Sequence, residues 1–157
     1  MSIRCTSKAI IIKDGCVLFN RDRREDGSVY FDLPGGGQHK YETMEDALIR
    51  EVKEETGYEV RVLRLAAVVE MINTDEEIRV RFSEYAHRML HIFLAELTDA
   101  EQEEPSERDF GMEASEWVPI DEVRTLPETC PLGLKEALPE ILKADGAVYL
   151  GAEYLNW

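Results

Sequence analysis

Glu51, Glu54 and Glu55 stand three and four residues apart in the run Arg50-Glu51-Val52-Lys53-Glu54-Glu55-Thr56-Gly57-Tyr58. On a helix, such spacings bring side chains onto one face. With Glu51 set at 0° and about 100° per residue, Glu55 falls near 40° and Glu54 near −60°. Met44, Ala47, Leu48 and Val52 fall in or beside the same arc and mark it as the inward face, while Asp46, Arg50 and Lys53 lie opposite. Most glutamate runs are solvated helix faces, but this apolar arc argues against that here. Unpaired charge is costly on a buried face, and like charges at these spacings repel. A cation among the three carboxylates removes both penalties. An oxygen-only donor set without His or Cys points to Mg²⁺, with Mn²⁺ or Ca²⁺ as alternatives, rather than Zn²⁺. Mg²⁺ keeps several waters and bridges carboxylates to substrate phosphates. Gly35, Gly36 and Gly37 permit close backbone approach and offer carbonyls beside the start of this helix.

Charge supports that chemistry. The 157 residues include 33 acidic and 18 basic ones, for a net charge of −15. Such a surface repels nucleic-acid polymers and anionic membranes. A polyanionic small substrate therefore needs a cation between itself and the protein. At 44% hydrophobic and 32% charged, the composition is that of an ordinary globular protein, and the length predicts one domain over residues 1–157. No apolar run approaches the ~18 residues of a membrane span. Residues 1–6 carry no secretory pattern. Cys5, Cys16 and Cys130, without a CxxC spacing, read as reduced thiols of a cytoplasmic protein.

The elements that must position the carboxylates follow from local signals. Residues 7–19 predict two strands around the hairpin pair Asp14-Gly15. Residues 21–28 read as a polar loop and residues 29–33 as a short strand ended by Pro34 and the three glycines. Thr43 and Asp46 predict a capped start for a helix over residues 43–56, with Gly57 as its stop. Residues 60–72, 89–97 and 116–120 read as strands, with 78–82 as a further one after an acidic turn. Residues 98–109 form an acidic loop, Asp121 caps a short helix, and residues 132–144 are helical with Pro139 as an interruption. Strands and helices without a βαβ rhythm predict a mixed sheet with helices packed outside it.

From Gly36 the chain runs Gly, five residues, Glu42, seven residues, Arg50-Glu51-Val52, one residue, Glu54-Glu55, one residue, Gly57-Tyr58. This pattern resembles the signature of the Nudix hydrolase family, with Tyr58 in place of the usual bulky aliphatic residue. Softer resemblance extends to residues 31–37, 91–95 and 117–123. It implies an α/β fold, the Nudix-type α/β/α sandwich with a mixed β-sheet. It also implies hydrolysis of a nucleoside diphosphate linked to another group, X. Glu51, Glu54, Glu55 and the carbonyl of Gly36 would hold Mg²⁺ (or Mn²⁺), and Glu42 would pair with Arg50 to fix the loop against the helix. Glu51 is one candidate for the general base. Relatives that place the base outside the motif point to Glu113, then to Glu116 or Glu107.

Family markers for ADP-ribose, diadenosine polyphosphate, NADH and coenzyme A subfamilies are missing: no Pro or Tyr stands in residues 72–75, for example. Nucleoside triphosphates, nucleotide sugars and other diphosphates stay open. Candidate substrate contacts are Phe31, for stacking, and the cations His39, Lys40, Arg79 and Arg81, with His87 and Arg88 nearby. The partner is thus a small nucleotide or diphosphate; the resemblance also allows a homodimer, which no residue here demands. The alternative is a non-catalytic Nudix-like module that binds a nucleotide to regulate something else. Such modules often lose motif carboxylates, and here all are present.

Overall fold

The structure is a computed structural model that describes residues 3–156; Met1 and Ser2, part of the stretch read for a secretory signal, lie outside the described residues. Strands β1 (Arg4–Lys13) and β2 (Cys16–Arg23) turn through Asp14 and Gly15, whose φ values of 51° and 75° are the left-handed pair that a tight hairpin requires. Only Ile12–Val17 and Lys13–Cys16 pair across it, and beyond them the two strands part. β1 runs parallel to β5 (His87–Leu97), while β2 pairs with β3 (Val29–Asp32) and β6 (Met112–Pro119).

The chain after β3 fills the opening. Ala9 N–H donates to the Pro34 carbonyl at 2.8 Å, and Ser7 N–H donates to the Gly36 carbonyl at 2.9 Å. The glycine bend is thereby pinned along the edge of β1 that β2 has left. β4 (Val60–Asn73) continues the sheet beside β5, and β7 (Thr129–Cys130) and β8 (Val148–Leu155) flank it, in the order β7-β3-β2-β1-β5-β4-β8 with β6 on β2. β7–β3, β1–β5 and β4–β8 are parallel and the other pairs antiparallel, so the sheet is mixed.

Helices cover both faces. α1 (Met44–Thr56) buries Leu48 and Val52 against Ala9, Ile11, Leu18, Val60, Phe93 and Ala95. After the short helix α2 (Glu76–Arg81), α3 (Leu134–Lys143) lays Leu134, Leu138 and Ile141 over Ile10, Phe19, Leu33, Met71, Leu90 and Ile92. Neighbours on β1 thus face opposite layers, as strand alternation requires. Each fully buried aliphatic side chain contributes roughly 1.5–3 kcal/mol. The result is the expected α/β/α sandwich.

Four expectations are corrected. The segment read as a loop from residue 21 continues β2 to Arg23, because Arg23 pairs with Val29 and its N–H donates to the Gly111 carbonyl at 2.9 Å. Residues 78–82 do not form a strand. The Asp75 carboxylate accepts from the N–H groups of Glu77 (2.8 Å) and Ile78 (3.0 Å) and starts α2 instead. The short helix after β6 is a 3₁₀ turn, Ile120–Thr125, with no side-chain cap from Asp121. Pro139 lies inside a continuous α3. All three cysteines are unpaired. Among the described residues no helix is long and apolar enough to cross a membrane.

Candidate active site

Thr43 accepts the Asp46 N–H at its hydroxyl (3.1 Å) and opens α1; Gly57, at φ 73°, closes it. Between these caps Arg50 latches helix to loop. Its Nε meets Glu42 Oε1 at 2.8 Å and its Nη2 meets Glu42 Oε2 at 3.0 Å, a two-pronged pair. The same guanidinium donates to the Gly37 carbonyl (3.1 Å), to Glu51 Oε1 (2.8 Å) and to Glu54 Oε2 (3.1 Å). Hydrogen bonds from Arg50, joined by the His39 N–H, push the Glu42 carboxyl down to about 2.

The helix carboxylates sit where this latch directs them. Glu51 lies directly against Gly36, so close that a side chain there would displace its carboxylate. Glu55 is 5% exposed, and its Oε2 accepts from Asn20 Nδ2 (2.8 Å) and from the Gly35 N–H (2.9 Å). Burial pushes the Glu55 carboxyl up to about 7, against the opposing pull of Lys8 and the Gly35 N–H. Glu54 is more open, and its backbone carbonyl accepts the N–H groups of Ser106 (2.9 Å) and Glu107 (3.1 Å), tying the acidic loop to the helix.

Glu51, Glu55 and the three glycines border a cleft of about 260 Å³ between the parted strands. Its other walls hold residues that the sequence reading did not single out: Lys8, Asn20, Asp22 and Asp32. Lys8 Nζ meets Asp32 Oδ2 at 2.8 Å. Burial alone would lower the Lys8 ammonium, but the Asp32 and Glu55 carboxylates outweigh it and hold it above its usual range. Burial, reinforced by Asp32, pushes Asp22 up to about 6. The signal that could have found these residues is alternation: each is a polar side chain at an inward position of a strand.

The remaining candidates scatter. Glu113 does not line the cleft; it pairs with Arg23 at 2.6 Å and Arg21 at 3.0 Å, and Arg23 holds its carboxyl below the usual range. Glu116 reaches Arg21 at 4.0 Å. Phe31 packs edge-to-face on Phe19 in the core, 8% exposed, so it offers no face for stacking. His39 and Lys40 are exposed on the loop before α1, and the Lys40 ammonium lies over the Tyr41 ring. Arg79 and Arg81 lie on α2, where Arg79 donates to the Asn73 carbonyl and Arg81 lies over Phe82; neither lines the cleft, whereas Arg88 on β5 does.

Among the described residues no three acidic, His or Cys side chains already converge as a metal-binding group. Glu51 and Glu54 are turned onto Arg50, and Glu55 onto Asn20 and Gly35. The donor set nevertheless fits a hard cation. It is all oxygen, it lies on one turn of α1, and its most buried member carries a carboxyl raised by desolvation, which a nearby cation would relieve.

A model of the NUDIX domain matches residues 6–141. Among solved structures, a mutator MutT protein from Bacillus halodurans is 25% identical, with 98% of this chain and 91% of that one covered and a TM-score of 0.70. A MutT NUDIX hydrolase from Burkholderia pseudomallei is 26% identical over 77% of this chain and 86% of that one, with a TM-score of 0.59. An ADP-ribose pyrophosphatase from Streptococcus suis, 19% identical with 94% and 99% covered and a TM-score of 0.63, shares the fold. No curated protein matches the chain significantly.

Proposed function

The chain belongs to the NUDIX family, and we propose that it is a pyrophosphohydrolase that cleaves, with Mg²⁺, a diphosphate linkage in a nucleoside diphosphate joined to a further group X. The observation that carries this reading is the pair Glu51 and Glu55 set against Gly36 and Gly35, with Arg50 linking Glu42, Glu51 and Glu54 beside them. Structural neighbours named as an ADP-ribose pyrophosphatase and a UDP-X diphosphatase agree with that substrate class.

In this reading Glu51, Glu54, Glu55 and the Gly36 carbonyl hold the cation. Mg²⁺, when bound, supplies positive charge against the diphosphate oxygens and acidity to the attacking water. Arg50 and Glu42 keep the loop and helix in register, which is an orienting role and not a chemical one. Glu51, which lines the cleft, is the group we assign to take the proton of the attacking water; Glu113, committed to Arg21 and Arg23, is set aside. The three unpaired cysteines support a reducing, cytoplasmic setting.

The test is a panel of nucleoside triphosphates, nucleotide sugars and dinucleotides incubated with the protein and Mg²⁺. Release of a nucleoside monophosphate and a phosphorylated partner, abolished by EDTA, is the expected result. No release from any panel member, with binding retained, would instead indicate a non-catalytic nucleotide-binding module.

A further inference from the structure

Register places a second group of polar side chains in the cleft. Across β2 and β3, Asp22 pairs with Tyr30 and Asn20 with Asp32. Alternation points all four to one face, and all four line the cleft with Glu51 and Glu55. Asn20 is used by Glu55, and Asp32 Oδ2 by Lys8. Asp22 is 6% exposed and lines the cleft, where the charge of Lys8 draws on its carboxylate and those of Asp32 and Asp109 oppose it. Asp32 Oδ1 is buried without a hydrogen-bond partner, as is the hydroxyl of Thr6, itself 6% exposed in the same cleft. Buried acceptors are normally satisfied, and leaving them unmade lowers stability. A ligand that donates to them resolves the cost.

The acceptors define the ligand. Carboxylate oxygens need donors. Lys8, paired with Asp32, and Arg88 bring positive charge to the same cleft, and the cation of the proposed reaction is assigned to the α1 carboxylates. For the remaining acceptors a neutral donor fits. We propose that Asp22 and Oδ1 of Asp32 form the subsite that reads group X or the base, accepting hydrogen bonds from a neutral moiety with two adjacent donors. Vicinal hydroxyls of a hexose as group X and the N–H/NH₂ edge of guanine share that chemistry. The inference rests on the diphosphohydrolase reading above.

Asp22→Asn keeps the side chain's shape and turns one acceptor into a donor. Steady-state kinetics on UDP-glucose, GTP and ATP with Mg²⁺, beside thermal unfolding at pH 8, test it. KM for the donor-bearing substrate is expected to rise about 10- to 100-fold with kcat within about 3-fold. Tm is expected to rise by about 2–4 °C, because a carboxylate charge held in a desolvated site is gone. A sugar subsite shows the effect on UDP-glucose and spares GTP; a base subsite shows it on GTP and spares UDP-glucose and ATP. Thr6→Val, which removes the hydroxyl without altering charge, raises KM for the same substrate several-fold. KM unchanged within about 2-fold for every substrate overturns the proposal, as does an equal loss on all three. A parent protein that hydrolyses none of them defeats the diphosphohydrolase reading. Calorimetric titration of the same compounds then decides the subsite: Asp22→Asn must weaken binding by at least about tenfold, and equal binding overturns it.

Discussion

A Cβ built on Gly36 would lie 2.3 Å from Oε2 of Glu51 and 2.5 Å from its Cδ. Glycine is thus required here by the carboxylate that rests on it and not by backbone conformation. Because the obstruction is the far end of a flexible side chain, Gly36→Ala should fold with a loss of only about 1 kcal/mol while displacing Glu51. We expect kcat to fall at least about 100-fold. The neighbouring Gly35 behaves differently: its φ is 125° and an added Cβ would meet the Ser7 carbonyl at 2.2 Å. Gly35→Ala should therefore cost about 2–4 kcal/mol of stability. Urea denaturation beside turnover separates the two; equal stability losses would refute this reading of the bend.

Glu54→Gln should remove a cation ligand and little else. The side chain is about one-third exposed, and the amide oxygen can still accept the hydrogen bond that Arg50 donates to Glu54. Turnover is expected to drop about 100- to 1000-fold with Tm within about 2 °C of the parent. Activity within several-fold of the parent would remove Glu54 from the ligand set.

Arg50→Lys retains the charge and loses the fork that grips both oxygens of Glu42. Stability should fall by about 1–3 kcal/mol. The Mg²⁺ concentration giving half-maximal rate should rise, because Glu51 and Glu54 are no longer held in place from the same guanidinium. An unchanged Mg²⁺ requirement would show that the latch does not orient the carboxylates.

Burial raises the Glu55 carboxyl from 4.5 to about 7. The unfolded chain releases this proton near 4.5, whereas the native state retains it until about 7. Stability contributed by this group is therefore present below about 4.5 and is lost as pH rises toward 7. In EDTA, Glu55→Gln should become progressively more stable than the parent over that window, by up to about 3 kcal/mol. Asp22, raised to about 6, acts in the same direction. Glu42 runs opposite: held at about 2, its contribution is present above about 4.5 and lost as pH falls. Paired denaturation curves from pH 4 to 8 check this. A constant difference between parent and Glu55→Gln would contradict the buried, desolvated state of Glu55.

Local chemistry made much of this legible in the sequence. Thr43 and Gly57 bound α1 as their capping roles require, and Asp14-Gly15 makes the hairpin. The inward arc holding Glu55 followed from the helical period alone. What stayed hidden depends on partners far along the chain. Lys8 finds Asp32 and Asp22 finds Tyr30 only once the sheet is assembled. α2 turned on a single aspartate cap outweighing a β-rich pattern. β8 lacks a clean apolar alternation, being a mostly half-buried strand beside β4, and its Glu153 accepts the N–H groups of Leu132 and Gly133 just before α3. Glu113 looked free in sequence, but β2 supplies two arginines to it.

Cation capture by the α1 carboxylates is most directly read by titrating Mn²⁺ into the metal-free protein and following free Mn²⁺ by electron paramagnetic resonance, with Mg²⁺ as competitor. The parent should bind Mn²⁺ saturably, Mg²⁺ should displace it, and E51Q/E54Q/E55Q should bind at least about 100-fold more weakly while remaining folded. Equal Mn²⁺ binding by the parent and the folded triple variant would contradict the account.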